Sequence, residues 1–248
     1  MKEDGNSADI LGLAPYGEAL NTLVEKSLEG VGAFLGRICL PAAEEFGLLL
    51  KDRISSWRTA NVVKIAEKAE GIFHKFSLPE GLHAHPRLVM KVLEEGSWGD
   101  DDDVQNMWAG LLASSCTEEG TDDSNLIFVN VLSQITRAEA AILNYGCVRC
   151  NKGVTRAGWL QVREQVTVEL DELQRITSVY DVQRLDREMD HLRELGLIGG
   201  LQSGGFMPES TFADITPTPL ALQMYVRCQG YRGSPVEYFG LLGSPETL

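Results

Sequence analysis

Cys147-Val148-Arg149-Cys150 is a CxxC, a spacing at which two thiolates hold a soft metal ion or cycle as a dithiol. A tetrahedral zinc site needs two further ligands, and His191 or Cys228 are the residues that could complete a partial one. A redox pair belongs before a helix in a βαβ unit, whereas this pair falls at the end of a helical pattern. Cys116 and Cys228 stand isolated, so ordinary buried or semi-buried thiols are expected, with Cys147 and Cys150 kept as the metal candidates. His83-Ala84-His85 sets two imidazoles on one side of an extended segment. No acidic motif accompanies them, and a loop ahead of Pro86 accounts for the pattern.

Four consecutive carboxylates, Asp100 to Asp103, invite a calcium reading. An EF-hand loop requires ligands at alternating positions, a glycine and a distal Glu, and none of these follows. Carboxylates capping free N–H groups at the positive end of a helix explain the run better. Ser114-Ser115-Cys116 closes an apolar helix and reads as small-residue packing, not as a nucleophile. The chain has no GxxxxGK[ST], GxSxG or HExxH motif. No catalytic residue and no cofactor are therefore assigned, and an enzyme is not expected; an acidic site around Asp100–Asp103 is the chemistry that stays open.

The formal net charge of −14 is uneven. Residues 1–90 carry 10 basic and 12 acidic side chains, residues 91–150 carry 3 and 11, and residues 151–248 carry 9 and 13. No segment is basic, whereas a duplex-binding surface needs a Lys/Arg stripe to displace phosphate counterions. Hydrophobic residues make up 44% and charged ones 23%, which is a globular composition. The polar, acidic start and an odd count of five cysteines point to a reducing, cytoplasmic setting.

Helices must position these groups. After a flexible lead-in over 1–14, Leu20, Leu23, Val24, Leu28, Val31, Phe34, Leu35 and Ile38 recur at helical spacing. Gly30, Gly32 and Gly36 thin the side-chain cover there and allow close backbone approach to a second copy or another helix; Pro41 splits or kinks the pattern. The run from Val31 to Leu50 is broken by Arg37, Glu44 and Glu45, so membrane insertion is not expected, though peripheral contact stays open. Further helices are expected over 56–76, from Pro86 to Glu95 with Gly96 as terminator, from the aspartate run to about Cys116, and over 125–134. Trp98 and Trp108, with Leu111 and Leu112, are expected as fold-critical core anchors.

Thr136 and Glu139 form a capping box that opens the next helix. Two helices are then expected near 159–166 and 168–175. Asp181 caps a helix whose apolar positions include Leu185, Leu192 and Leu195. Leu195-Gly196-Leu197-Ile198, the glycines at 199, 200, 204 and 205, and Phe212–Ile215 supply a hairpin before Pro219 restarts a helix. That order resembles a winged helix-turn-helix. Its presumed recognition helix sets Arg184, Arg187 and Arg193 against Asp181, Asp186, Glu188, Asp190 and Glu194, and residues 201–213 hold no Lys or Arg. A protein-contact role for this part, with Arg184 and Arg187 as candidates, is expected ahead of DNA binding.

The stretches His85-Pro86-Arg87-Leu88-Val89 and Trp108-Ala109-Gly110-Leu111-Leu112-Ala113-Ser114-Ser115-Cys116 resemble the abortive-infection alpha (Abi-alpha) family of bacterial proteins, associated with phage defence. The resemblance runs from about Val24 into the C-terminal region. It brings no agreed catalytic motif, so it implies a biological role more than a reaction. The expectation is a mainly α protein with a helical part over 15–134, a winged-helix-like part over 135–230 and a tail over 231–248. It would act in anti-phage defence through protein–protein or membrane-proximal contact, with self-association, a protein partner or a phage component as its counterpart. The alternative is a winged-helix regulator that binds nucleic acid.

Overall fold

The structure, a computed structural model, describes residues 32–39, 56–79, 81–199, 205–206 and 211–241. The described residues are mainly helical. Residues 32–38 form α1, followed by α2 (Ser56–Lys75), β1 (His83–Ala84), α3 (Pro86–Gly96), α4 (Asp102–Ser114), β2 (Cys116–Thr117), α5 (Leu126–Leu132) and α6 (Arg137–Arg149). Then come β3 (Lys152–Val154), β4 (Leu160–Val162), β5 (Thr167–Glu169), α7 (Leu170–Thr177), α8 (Val182–Glu194), β6 (Gly205–Phe206), β7 (Phe212–Asp214), α9 (Pro219–Cys228) and α10 (Pro235–Tyr238).

Local chemistry sets the helix starts. At α4, the Asp101 carboxylate accepts from the N–H groups of Asp103 and Val104, and Asp102 and Asp103 occupy the first turn, where they face the positive dipole end. The aspartate run is thus a helix start, further tied down by Asp101 to Arg137 at 2.8 Å and Asp102 to Lys68 at 2.6 Å. Pro86 sits in the first turn of α3, with His85 as N-cap. Both halves of the Thr136–Glu139 capping box are made at α6.

Helix α4 is the hub. It packs against α2, α3, α5, α6 and α9, and Trp108, Leu111 and Leu112 are buried on it. Burial of each such leucine contributes about 1.5–3 kcal/mol. Gly110 lets the end of α9 lie on the α4 backbone: a Cβ there would come within 1.7 Å of the Cys228 carbonyl oxygen. One hydrophobic cluster runs from Phe34 to Cys228. Beyond the hub, β5, β7 and β6 form an antiparallel sheet in that order, with Val168 opposite Ala213 and Phe206 opposite the same residue. Leu185 is buried on α8, and Leu195 is half-buried just beyond it.

Two expectations are corrected. Residues 159–166 are not a helix: β3 and β4 pair as a hairpin, Lys152 opposite Val162. Leu160 and Val162 alternate with polar neighbours, and Gly158 takes φ +87° at the tip, a conformation helices do not use. Trp98 is not a core anchor, being 61% exposed. Because α3 ends at Gly96, the chain turns with Ser97 buried and leaves the Trp98 ring outside, where it lies 3.9 Å from the Arg58 guanidinium. The lead-in over 1–14, Gly30, Pro41, most of the pattern over 15–58, and Gly200 and Gly204 of the expected wing lie outside the described residues. Gly32 and Gly36 fall within α1, whose Phe34, Leu35 and Ile38 are buried. Among the described residues, no helix is long and apolar enough to cross a membrane.

Candidate functional site

The residues that could carry chemistry are first held in the core. Cys147 and Cys150 end α6, and both are buried. Burial pushes the Cys147 and Cys150 thiols up, and Cys228, also buried, up to about 12. Reaction and metal binding both need the thiolate, which this environment disfavours. Among the described residues no three His, Cys, Asp or Glu side chains gather in a way that could hold a metal ion. The imidazoles of the His-Ala-His stretch serve local structure: His83 Nδ1 lies 3.0 Å from the Arg37 carbonyl oxygen, and His85 accepts from the Arg87 N–H. Ser114 and Ser115 donate to the Leu111 carbonyl and receive the Asn125 amide.

A buried polar cluster joins α6 to α8. The Glu139 carboxylate, with no exposed surface, accepts from the Thr136 N–H at 2.8 Å and lies 2.6 Å from His191 Nδ1. Thr136 Oγ1 donates to Glu188, which also pairs with Arg184 at 3.1 Å. Burial holds the Glu139 carboxyl above its usual range, against the opposing pull of the Thr136 and His191 hydrogen bonds. Sequence spacing showed the Thr136–Glu139 half of this cluster. The His191 and Glu188 half comes from a helix 52 residues away, and no local pattern announces it.

The outer face of α8 bears directly on nucleic-acid binding. Arg184 is tied to Glu188, and Arg193 to Asp190 at 2.8 Å. Arg187 is exposed, between exposed Asp186 and Asp190. The β3–β4 hairpin differs from it in sign: residues 149–163 contain Arg149, Lys152, Arg156 and Arg163 and no acid. At its tip Trp159 is 73% exposed. Tyr180 and Val182, either side of the Asp181 cap, are also exposed.

A cleft of about 410 Å³ opens where α2, α4, α6 and the end of α9 meet. Lys68, Gly71, Ile72 and Lys75 recur at the three- and four-residue spacing that gives α2 one wall of it; Asp103 and Asn106 on α4, Asn144 on α6 and Gln229 after α9 supply its polar remainder. The α2 stripe is visible in the sequence. Its convergence with Asn144 and Gln229 depends on tertiary packing and is not.

The abortive infection alpha family model matches residues 60–201, more than half of the chain. The chain belongs to the abortive infection alpha family. The match takes in most of α2 and continues through α8, so the α4 hub, the capping box and the Glu139 cluster all lie within the abortive infection alpha region, whereas β7 and α9 follow it. No curated protein and no solved structure matches the chain. Membership points to abortive-infection defence and, like the geometry, names no reaction.

Proposed function

We propose that the protein serves anti-phage abortive infection from the cytoplasm, by protein–protein or membrane-proximal contact and not by catalysis. The observation that carries this is the exposure of two large aromatic side chains of the C-terminal part: Trp159, 73% exposed at the hairpin tip, and Tyr180, equally exposed before α8. Aromatic side chains of this kind supply most of the energy of protein contacts when a partner covers them. We read α6, β5, α7, α8, β6 and β7 as a winged helix. The chain order and the β5-β7-β6 sheet support that reading, and the carboxylates paired with Arg184 and Arg193 on α8 favour a protein partner over a duplex. Cells carrying the intact gene should resist at least one phage of a broad panel. A Trp159→Ala/Tyr180→Ala variant should lose that protection at unchanged protein level and unchanged melting temperature. Full protection by a stably folded double variant would sink the contact reading.

A second reading, a nucleic-acid-binding regulator, has one observation in its favour: the acid-free basic hairpin over 149–163. It predicts binding of a labelled duplex or single strand that weakens steeply with salt and is abolished by Arg156→Glu/Arg163→Glu. No binding at 50 mM salt would dismiss it.

A further inference from the structure

Gly71 differs from other glycines on the helices around it. A Cβ at Gly96 would lie 2.8 Å from the Ile65 side chain, at Gly146 2.8 Å from the Ile215 carbonyl oxygen, and at Gly110 closer still to Cys228. Backbone packing demands glycine at Gly110 and Gly146, and a Cβ at Gly96 would push the Ile65 side chain aside. At Gly71 a Cβ would meet nothing within 4 Å, inside the 20-residue helix α2, where glycine weakens the helix relative to alanine. Its structural consequence is an open wall in the 410 Å³ cleft, a volume within the ordinary range of small-molecule sites.

The polar groups facing this space are unevenly committed. Lys68 is satisfied, 2.6 Å from both Asp102 Oδ1 and Asn106 Oδ1. Lys75, seven residues further along α2 and so about 10 Å away, has no carboxylate partner among the described residues; its ammonium lies 5.4 Å from the Phe76 ring centre. Asn144 and Gln229 are half-buried, and neither side-chain amide is hydrogen-bonded to a described residue. Asp103, exposed on α4, stands beside the Asp102–Lys68 pair. Among the described residues, the cleft thus offers a cation without a carboxylate partner, Lys75, a carboxylate beside the Lys68 pair, and two carboxamides without hydrogen-bond partners.

We infer that the cleft binds a mononucleotide-sized organic phosphate. The Lys75 ammonium takes the phosphate. The Asp103 carboxylate accepts from sugar hydroxyls, as acidic side chains do in dinucleotide sites. The amides of Asn144 and Gln229, each both donor and acceptor, meet the hydrogen-bonding edge of a heterocycle. The net charge of −14 opposes long polyanions, which selects a single small anion over a nucleic-acid strand. This inference stands apart from the contact reading and does not rest on it.

The test is calorimetry and thermal melting of the full chain with AMP, GMP, CMP, UMP and inorganic phosphate. At least one nucleotide is expected to raise the melting temperature and to bind at least tenfold more tightly than inorganic phosphate. Lys75→Glu should weaken that binding at least tenfold. Gly71→Leu, whose Cβ meets no atom within 4 Å, extends side chain into the open wall and should do the same while leaving the unliganded protein folded. Should Gly71→Leu fail to fold, exposed Lys75 carries the test alone. The inference is overturned by no nucleotide binding at millimolar concentration, by binding that Lys75→Glu leaves unchanged, or by inorganic phosphate binding as well as any nucleotide.

Discussion

At the scale of single residues, Gly110 and Gly71 make opposite predictions from the same residue type. Alanine at Gly110 would thrust a methyl group into the Cys228 carbonyl, so α4 and α9 must separate. Gly110→Ala is expected to destabilise by about 3 kcal/mol, the upper end for overpacking, despite alanine's better helix propensity. Gly71→Ala meets no atom and should stabilise by up to about 1 kcal/mol. Urea denaturation reads both, and equal effects at the two sites would contradict the packing described for the hub. Glu139 supplies a pH prediction. Burial raises its carboxyl in the folded state, so its favourable contribution belongs to the protonated form. That contribution is complete below the unfolded carboxyl range and is lost as pH rises through the folded value. Glu139→Gln keeps an acceptor for the Thr136 N–H and removes the buried charge. Its melting temperature relative to the parent should therefore climb as pH rises from about 4 to 7. A flat or falling difference would show that the Thr136 and His191 hydrogen bonds outweigh desolvation.

Elements follow the same accounting of donors and acceptors. Thr136 caps α6 through the Glu139 N–H and also donates its hydroxyl to Glu188 on α8. Thr136→Ala should cost about 2 kcal/mol, the upper end for a cap, because a second helix loses a partner as well; Thr136→Ser should recover most of it. A loss no larger than that of an exposed cap would mean the link to α8 contributes nothing. Helix starts are legible in the sequence because their signals are local: Asp101 and Thr136 each sit within three residues of the N–H groups they satisfy, and Pro86 marks the first turn of α3, whereas the His85 cap shows only in the structure. The sequence does not reveal the β3–β4 hairpin because Trp159-Leu160 and Val162 can be placed on a helix or a strand over so short a run; the residue that decides is Gly158, with its φ of +87°. Trp98 escapes its expected burial for a different reason. Residue type favours burial of tryptophan, but the terminator at Gly96 turns the chain before the ring can reach the core.

At the scale of the whole molecule, the sequence reading expects a division at about residue 134, yet α9 from beyond it packs on α4 from before it. The hydrophobic cluster passes through that division without interruption, from Phe34 to Cys228. The cleft depends on it too, drawing Gly71 from one side and Gln229 from the other, which is why neither segment read alone reveals it. A single core predicts a single cooperative transition. Leu112→Ala in α4 and Leu185→Ala in α8 both remove fully buried side chains and should each cost about 2–5 kcal/mol. Each should shift the denaturation midpoint followed by tryptophan fluorescence and by far-ultraviolet circular dichroism to the same extent. If Leu185→Ala instead splits the curve, leaving fluorescence unmoved while helicity falls early, the C-terminal part melts as its own unit. Contact through its exposed aromatics would then be made by a module able to loosen independently of the α4 hub.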